Sequence, residues 1–151
     1  MAKILYRNLP NIVSILGVLP IGLLLLPYGY QFLIPLIVYN NMMDDLDGIL
    51  AARLNLKSSF GAMLDNMCDA VTHSMFVLVV GFHFGGLCAV ASVGAMITII
   101  LRITSRLDAP STNPRGTPTN ELIRHILFLL ILAVVFDFNV ATPLIAAFVL
   151  H

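Results

Sequence analysis

Long apolar runs, each closed by a short polar or proline- and glycine-bearing break, follow one another along this 151-residue chain. A chain of this length cannot hide that much apolar surface in a core of its own, whereas a bilayer solvates it directly. Composition points the same way. Hydrophobic residues make up 59% of the chain and charged residues 11%, against about 25% charged in a typical soluble domain. Formal net charge is zero, so no general attraction to nucleic acid follows.

The breaks define an all-α, polytopic membrane helix bundle, a single domain over 1–151 with about six transmembrane helices. Helix 1 is expected over about Asn11–Leu26, closed by Pro27-Tyr28-Gly29, and is read as a retained helix rather than a cleaved signal. Helix 2 is expected over Gln31–Arg53, helix 3 over Phe60–Phe82 and helix 4 over Leu87–Arg106. A polar loop, Leu107–Thr117, follows, and Thr117 caps helix 5 with Pro118 at its first position; helix 5 ends near Phe138. The last segment, Val140–His151, falls short of the roughly 20 residues a span needs and is expected to be a short or truncated sixth helix. Cys68 and Cys88 lie in apolar stretches and read as small buried side chains rather than a disulfide.

The charge map supports the same division. Lys3, Arg7, Arg53, Lys57, Arg102, Arg106, Arg115 and Arg124 all fall in or beside segments 1–10, 53–59 and 107–117. The intervening loops, Pro27–Tyr30 and His83–Gly86, carry no Lys or Arg. The positive-inside rule therefore puts the N-terminus and those three segments in the cytoplasm. The expected location is a prokaryotic inner membrane, crossed several times, with the active site facing the cytoplasm.

Five of the eight acidic residues lie between Asp44 and Asp69. Asp44 and Asp47 are three apart near the end of helix 2; Asp65 and Asp69 are four apart near the start of helix 3. Each spacing puts a pair on one helical face. The short link between the helices makes them antiparallel neighbours, so the pairs can face each other. A bare carboxylate in a span costs roughly 2.5–3.5 kcal/mol on insertion scales, and four together repel. Two divalent cations would cancel that repulsion, and an all-oxygen ligand set suits Mg²⁺ or Mn²⁺. Two such ions about 3.5–4 Å apart make a clamp for phosphoryl displacement. The plain alternative is a wet interface where these residues only terminate helices.

The run Asp44-Asp45-Leu46-Asp47-Gly48-Ile49-Leu50-Ala51-Ala52-Arg53, followed by Gly61, Asp65 and Asp69, resembles the signature of the CDP-alcohol phosphotransferases, D-x2-D-G-x2-A-R-x8-G-x3-D-x3-D. One position departs: Ala52 stands where the family has Arg, and Arg53 follows about 100° further around the helix. The resemblance implies six transmembrane helices, a homodimer and a two-metal site with Asp44, Asp47 and Asp65 as ligands. It implies Asp69 as the base for the acceptor hydroxyl, also in touch with a metal. It places Gly48, the Ala52 position, Ser58 and Gly61 around the cytidine diphosphate of CDP-diacylglycerol. Pro10-Asn11-Ile12-Val13-Ser14 is similar to the start of the family's first helix, which puts Asn11 near the nucleotide. Leu101-Arg102-Ile103-Thr104-Ser105-Arg106 and Arg115-Gly116-Thr117-Pro118 look like the phosphatidylserine synthase branch. Arg102 and Arg106, four apart on one face, either hold a carboxylate or phosphate of the acceptor or snorkel to membrane lipid head groups.

The expected activity is divalent-metal-dependent transfer of a phosphatidyl group from CDP-diacylglycerol to a small alcohol, L-serine first, with release of CMP. Glycerol 3-phosphate or an inositol phosphate is the rival acceptor. A divalent-cation transporter is the rival from another class, but it predicts carboxylates near mid-membrane on several helices. The Ala52 departure also raises a catalytically impaired member of the family.

Overall fold

The computed structural model describes residues 2–107, 129, 133 and 139–150. Those residues are helical, with turns between the helices and no strand among them. In chain order the helices are α1 (Ala2–Arg7), α2 (Leu9–Val18), a 3₁₀ segment (Leu19–Leu25), a 3₁₀ turn (Gly29–Phe32), α3 (Leu33–Arg53), α4 (Ser59–Phe84), α5 (Gly86–Leu107) and α6 (Ala141–Leu150). Of the expected helix 5, Leu129 and Ala133 are described and are helical, while its Thr117 cap, Pro118 and the loop before it lie outside the described residues.

Two compact units divide the chain, Met1–Thr72 and His73–His151. In the first, α2 packs along α3. The buried residues of α2 are Pro10, Val13, Ser14 and Gly17, a stripe at helical spacing. Those of α3 are Leu33, Leu36, Ile37, Asn40 and Asp47, again one stripe. Its apolar end leads into a polar one along the same face. Gly17 makes the close approach to α3 possible: a Cβ there would sit 3.1 Å from Met43 Cβ.

Two expectations need correction here. Helix 1 starts earlier than expected, at Leu9, and does not stay α-helical to Leu26. Pro20 has no N–H to give the Leu16 carbonyl, so the regular ladder stops and the chain tightens into 3₁₀ form. The Tyr39 hydroxyl donates to that Leu16 carbonyl instead, at 3.1 Å. Helix 2 begins as a 3₁₀ turn and becomes α-helical at Leu33 rather than Gln31. Gly29 is required at that turn, because any Cβ would collide with the Leu24 carbonyl.

The link from α3 to α4 is closed by hydrogen bonds. Asn55 takes a left-handed φ of 54°. The Leu56 amide donates to the Ala51 carbonyl at 3.0 Å and the Asn55 amide to the Ala52 carbonyl at 3.4 Å, a Schellman arrangement that ends the helix. Ser58 then caps α4: its Oγ accepts the Gly61 amide at 3.0 Å.

In the second unit α5 packs with α6. Small residues set the spacing: a Cβ on Gly81 would collide with Ser92, and one on Gly94 would lie 2.7 Å from the Phe148 ring. Gly85 and Gly86, at φ of 66° and 52°, make the turn between α4 and α5.

Among the described residues, Ser59–Phe84 is long and apolar enough to cross a membrane, with a mean hydropathy of 1.4 over its most apolar window; Leu9–Leu25 and Gly86–Leu101 are shorter apolar helices. Large apolar side chains stand exposed throughout, among them Leu25 at 72%, Val90 at 71% and Val149 at 71%. Water is a poor solvent for such a surface, and lipid is a good one.

Candidate functional site

The C-terminal part of α3 and the first turns of α4 carry the acidic residues, and the first unit brings them together. One carboxylate oxygen each from Asp44, Asp47 and Asp65 lie within 4.8 Å of one another. Asp69, one turn beyond Asp65, is buried and lines the same small cavity. The other walls are Ser14, Gly17, Asn40, Met43 and Cys68. The four expected metal residues therefore share one cavity.

Spacing alone explains half of this. Three residues on α3 and four on α4 keep each pair on one face. The tight 54–58 link, closed by its capping bonds, returns the chain so that the faces meet. Like charges this close repel by on the order of 3 to 4 kcal/mol per pair at an effective dielectric of about 20. Two features offset that here. Ser14, buried on α2, donates a hydrogen bond from Oγ to Asp47 Oδ2. The oxygen-only arrangement also fits a hard divalent cation, which would convert the repulsion into coordination.

Asn11, Ser58 and Gly61 form a second group. A Cβ on Gly61 would lie 3.0 Å from Asn11 Oδ1 and 3.1 Å from Ser58 Oγ. Three of the residues expected around the nucleotide thus meet at the start of α4. Gly48 is exposed, with nothing within 4 Å of where a Cβ would stand, so its side of α3 is open. Ala52 and Arg53 are exposed at the end of α3 and line neither group. Arg102 and Arg106 lie on α5, and their side chains fall outside the described residues, as does the 115–118 motif.

The sequence alone assigns no role to Ser14 and Asn40, both on the cavity wall. Ser14 stands 33 residues from Asp47, and no local pattern reveals that pairing. Asn40 was legible in principle, since it precedes Asp44 by four and Asp47 by seven and so shares their face of α3.

A family model described as CDP-alcohol phosphatidyltransferase matches residues 7–150. An uncharacterized protein of Aquifex aeolicus (strain VF5) is 32% identical over 87 residues, 52% of this chain and 42% of that protein. A protein of Pseudomonas fluorescens named CDP-diacylglycerol–glycerol-3-phosphate 3-phosphatidyltransferase is 37% identical over 83 residues, 50% of this chain and 43% of that protein. The matched stretch spans less than half the length of either relative. No solved structure matches the chain.

Proposed function

From the membership of this chain in the CDP-alcohol phosphatidyltransferase family, we propose that it transfers the phosphatidyl group of CDP-diacylglycerol to L-serine in a divalent-metal-dependent reaction. The observation that carries the chemistry is the convergence of Asp44, Asp47 and Asp65 within 4.8 Å, with Asp69 on the same cavity.

In this reading Asp44, Asp47 and Asp65, with Asp69 at their edge, hold Mg²⁺ or Mn²⁺ as a two-ion site. Such ions, when bound, would supply charge neutralisation for the pyrophosphate and for the oxygens that attack and leave. The acceptor hydroxyl oxygen bonds to the lipid-bearing phosphorus as that phosphorus loses its bond to the bridging oxygen of CMP. Asp69 takes the hydroxyl proton, and CMP departs with the bond's electron pair. Its burial keeps bulk water from competing for that proton. Asn11, Ser58 and Gly61 flank the cytidine diphosphate, and the missing Cβ of Gly61 leaves room for it. Gly48 does the same on α3. At the Ala52 position the family's Arg is absent, and Arg53 is the nearest cation in sequence to take over the pyrophosphate contact. Arg102 and Arg106 bind the carboxylate of the acceptor.

The same reading makes the chain a multi-pass membrane protein and a homodimer, with the N-terminus, the 53–59 link and the 107–117 loop on the cytoplasmic side. Glycerol 3-phosphate is the second acceptor, favoured by the activity in the name of the Pseudomonas fluorescens relative. Purified protein given labelled CDP-diacylglycerol, Mg²⁺ or Mn²⁺ and a panel of alcohols separates the two by thin-layer chromatography. Labelled phosphatidylserine, lost on chelation, is the expected product. A product from glycerol 3-phosphate alone selects the second acceptor. Hydrolysis or no turnover with every alcohol overturns the reaction itself.

A further inference from the structure

Asn40 is an unusual wall for this cavity. Its side chain is 6% exposed, yet no hydrogen bond among the described residues engages its amide. The amide is not sealed away from solvent but opens onto the cavity. The face it occupies is otherwise apolar up to that point, Leu33, Leu36 and Ile37 preceding it. A leucine there would simply continue the stripe. What Asn40 does have is a place on the cavity wall beside Asp44, Asp47, Asp65 and Asp69. Gly17 lies opposite, a Cβ there being 3.7 Å from Asn40 Oδ1, so the backbone of α2 leaves the amide oxygen room.

We propose that Asn40 supplies a neutral oxygen to the cation held by the carboxylates, through its side-chain carbonyl or one of the ion's waters. The inference rests on the reading of Asp44, Asp47 and Asp65 as cation ligands and extends that set one turn along α3. Amide carbonyls are ordinary ligands of hard cations, and Mg²⁺ and Mn²⁺ commonly keep waters that need an acceptor. A neutral oxygen also completes coordination without adding a fifth negative charge to a cavity that already has four carboxylates. Ser14 already gives its hydroxyl proton to Asp47.

Mn²⁺ binding to the purified full chain, read from loss of the free-ion paramagnetic resonance signal, tests this without relying on turnover. Asn40→Leu keeps the branched shape and removes the oxygen. It is expected to weaken Mn²⁺ binding roughly tenfold or more, the loss seen when a partner of a bound ion is removed. Asn40→Asp keeps the oxygen and adds charge, and should bind Mn²⁺ more tightly than the parent. Asp65→Asn serves as the reference. If Asp65→Asn loses Mn²⁺ while both Asn40 variants bind like the parent, the inference about Asn40 is overturned and the carboxylate site stands. If Asp65→Asn binds like the parent, the carboxylate reading fails and this inference with it. Should Asn40→Leu not fold, Asn40→Asp decides alone, and parental or weaker binding in it overturns the proposal.

Discussion

The hydrogen bond from Ser14 to Asp47 joins two helices through two buried side chains. It fixes one carboxylate oxygen and leaves the other available, which is what a ligand in a crowded acidic cavity needs. Ser14→Ala removes the donor and lets the carboxylate turn. The expected result is a 10–100-fold loss of Mn²⁺ affinity, with Ser14→Thr, which keeps the hydroxyl, close to the parent. Equal affinity in Ser14→Ala would mean that the bond serves folding only. Asp69 presents a different case, since its assigned work is on a proton. Asp69→Asn preserves shape and one oxygen but cannot take up a proton to become neutral. Turnover should fall by about 10²–10⁴-fold, as for loss of a general base, while binding of CDP-diacylglycerol, followed by equilibrium dialysis, stays near parental. Turnover within a few-fold of the parent would assign the proton to another group.

At the scale of helices, the turn between α3 and α4 decides whether the acidic pairs meet. Asn55 holds the left-handed position that ends α3. Asn tolerates this conformation and Gly prefers it, whereas β-branched residues resist it by roughly 1–2 kcal/mol. Asn55→Gly should therefore keep or raise the thermal midpoint in detergent, and Asn55→Val should lower it; the reverse order would show that the cap is not limiting. This turn also marks where sequence reading succeeds and where it stops. Spacings of three and four and a short link are local facts, so the convergence of Asp44, Asp47 and Asp65 was legible. The limits of α4 and α5 were close for the same reason, the apolar runs and the Gly85-Gly86 break being local. The switch at Pro20 from α to 3₁₀ form was not foreseen, because it needs Tyr39, 19 positions away, to satisfy the Leu16 carbonyl. Ser14 escaped a role because its partner comes from another helix. Ala52 and Arg53, expected at the cytidine diphosphate, stand exposed at the end of α3 and outside the cavity.

For the molecule as a whole, the positive charges define its proposed orientation. Lys57 lies in the α3–α4 link, close in sequence to Ser58 and Gly61, the proposed nucleotide contacts. A single reactive cysteine at that position, Lys57→Cys in a Cys68→Ala, Cys88→Ala background, should be blocked by membrane-permeant maleimides only, when offered to intact cells. Labelling by an impermeant reagent would reverse the orientation and move the chemistry to the other face. The Leu9–Leu25 segment bears on the same membrane in another way. Counted in residues it falls short of a span, but a membrane has a thickness rather than a residue number. Ten α-helical residues rise about 15 Å and seven in 3₁₀ form about 14 Å, together about 29 Å, against about 26 Å for an unbroken α-helix of the same sequence. The hydrocarbon layer is about 30 Å. By refusing one hydrogen bond, Pro20 lengthens a short segment to nearly the depth of such a layer. A Pro20→Ala chain, free to coil regularly, should retain its thermal midpoint best in vesicles of shorter acyl chains, so that one ring closure on a side chain sets the bilayer in which the protein is most at home.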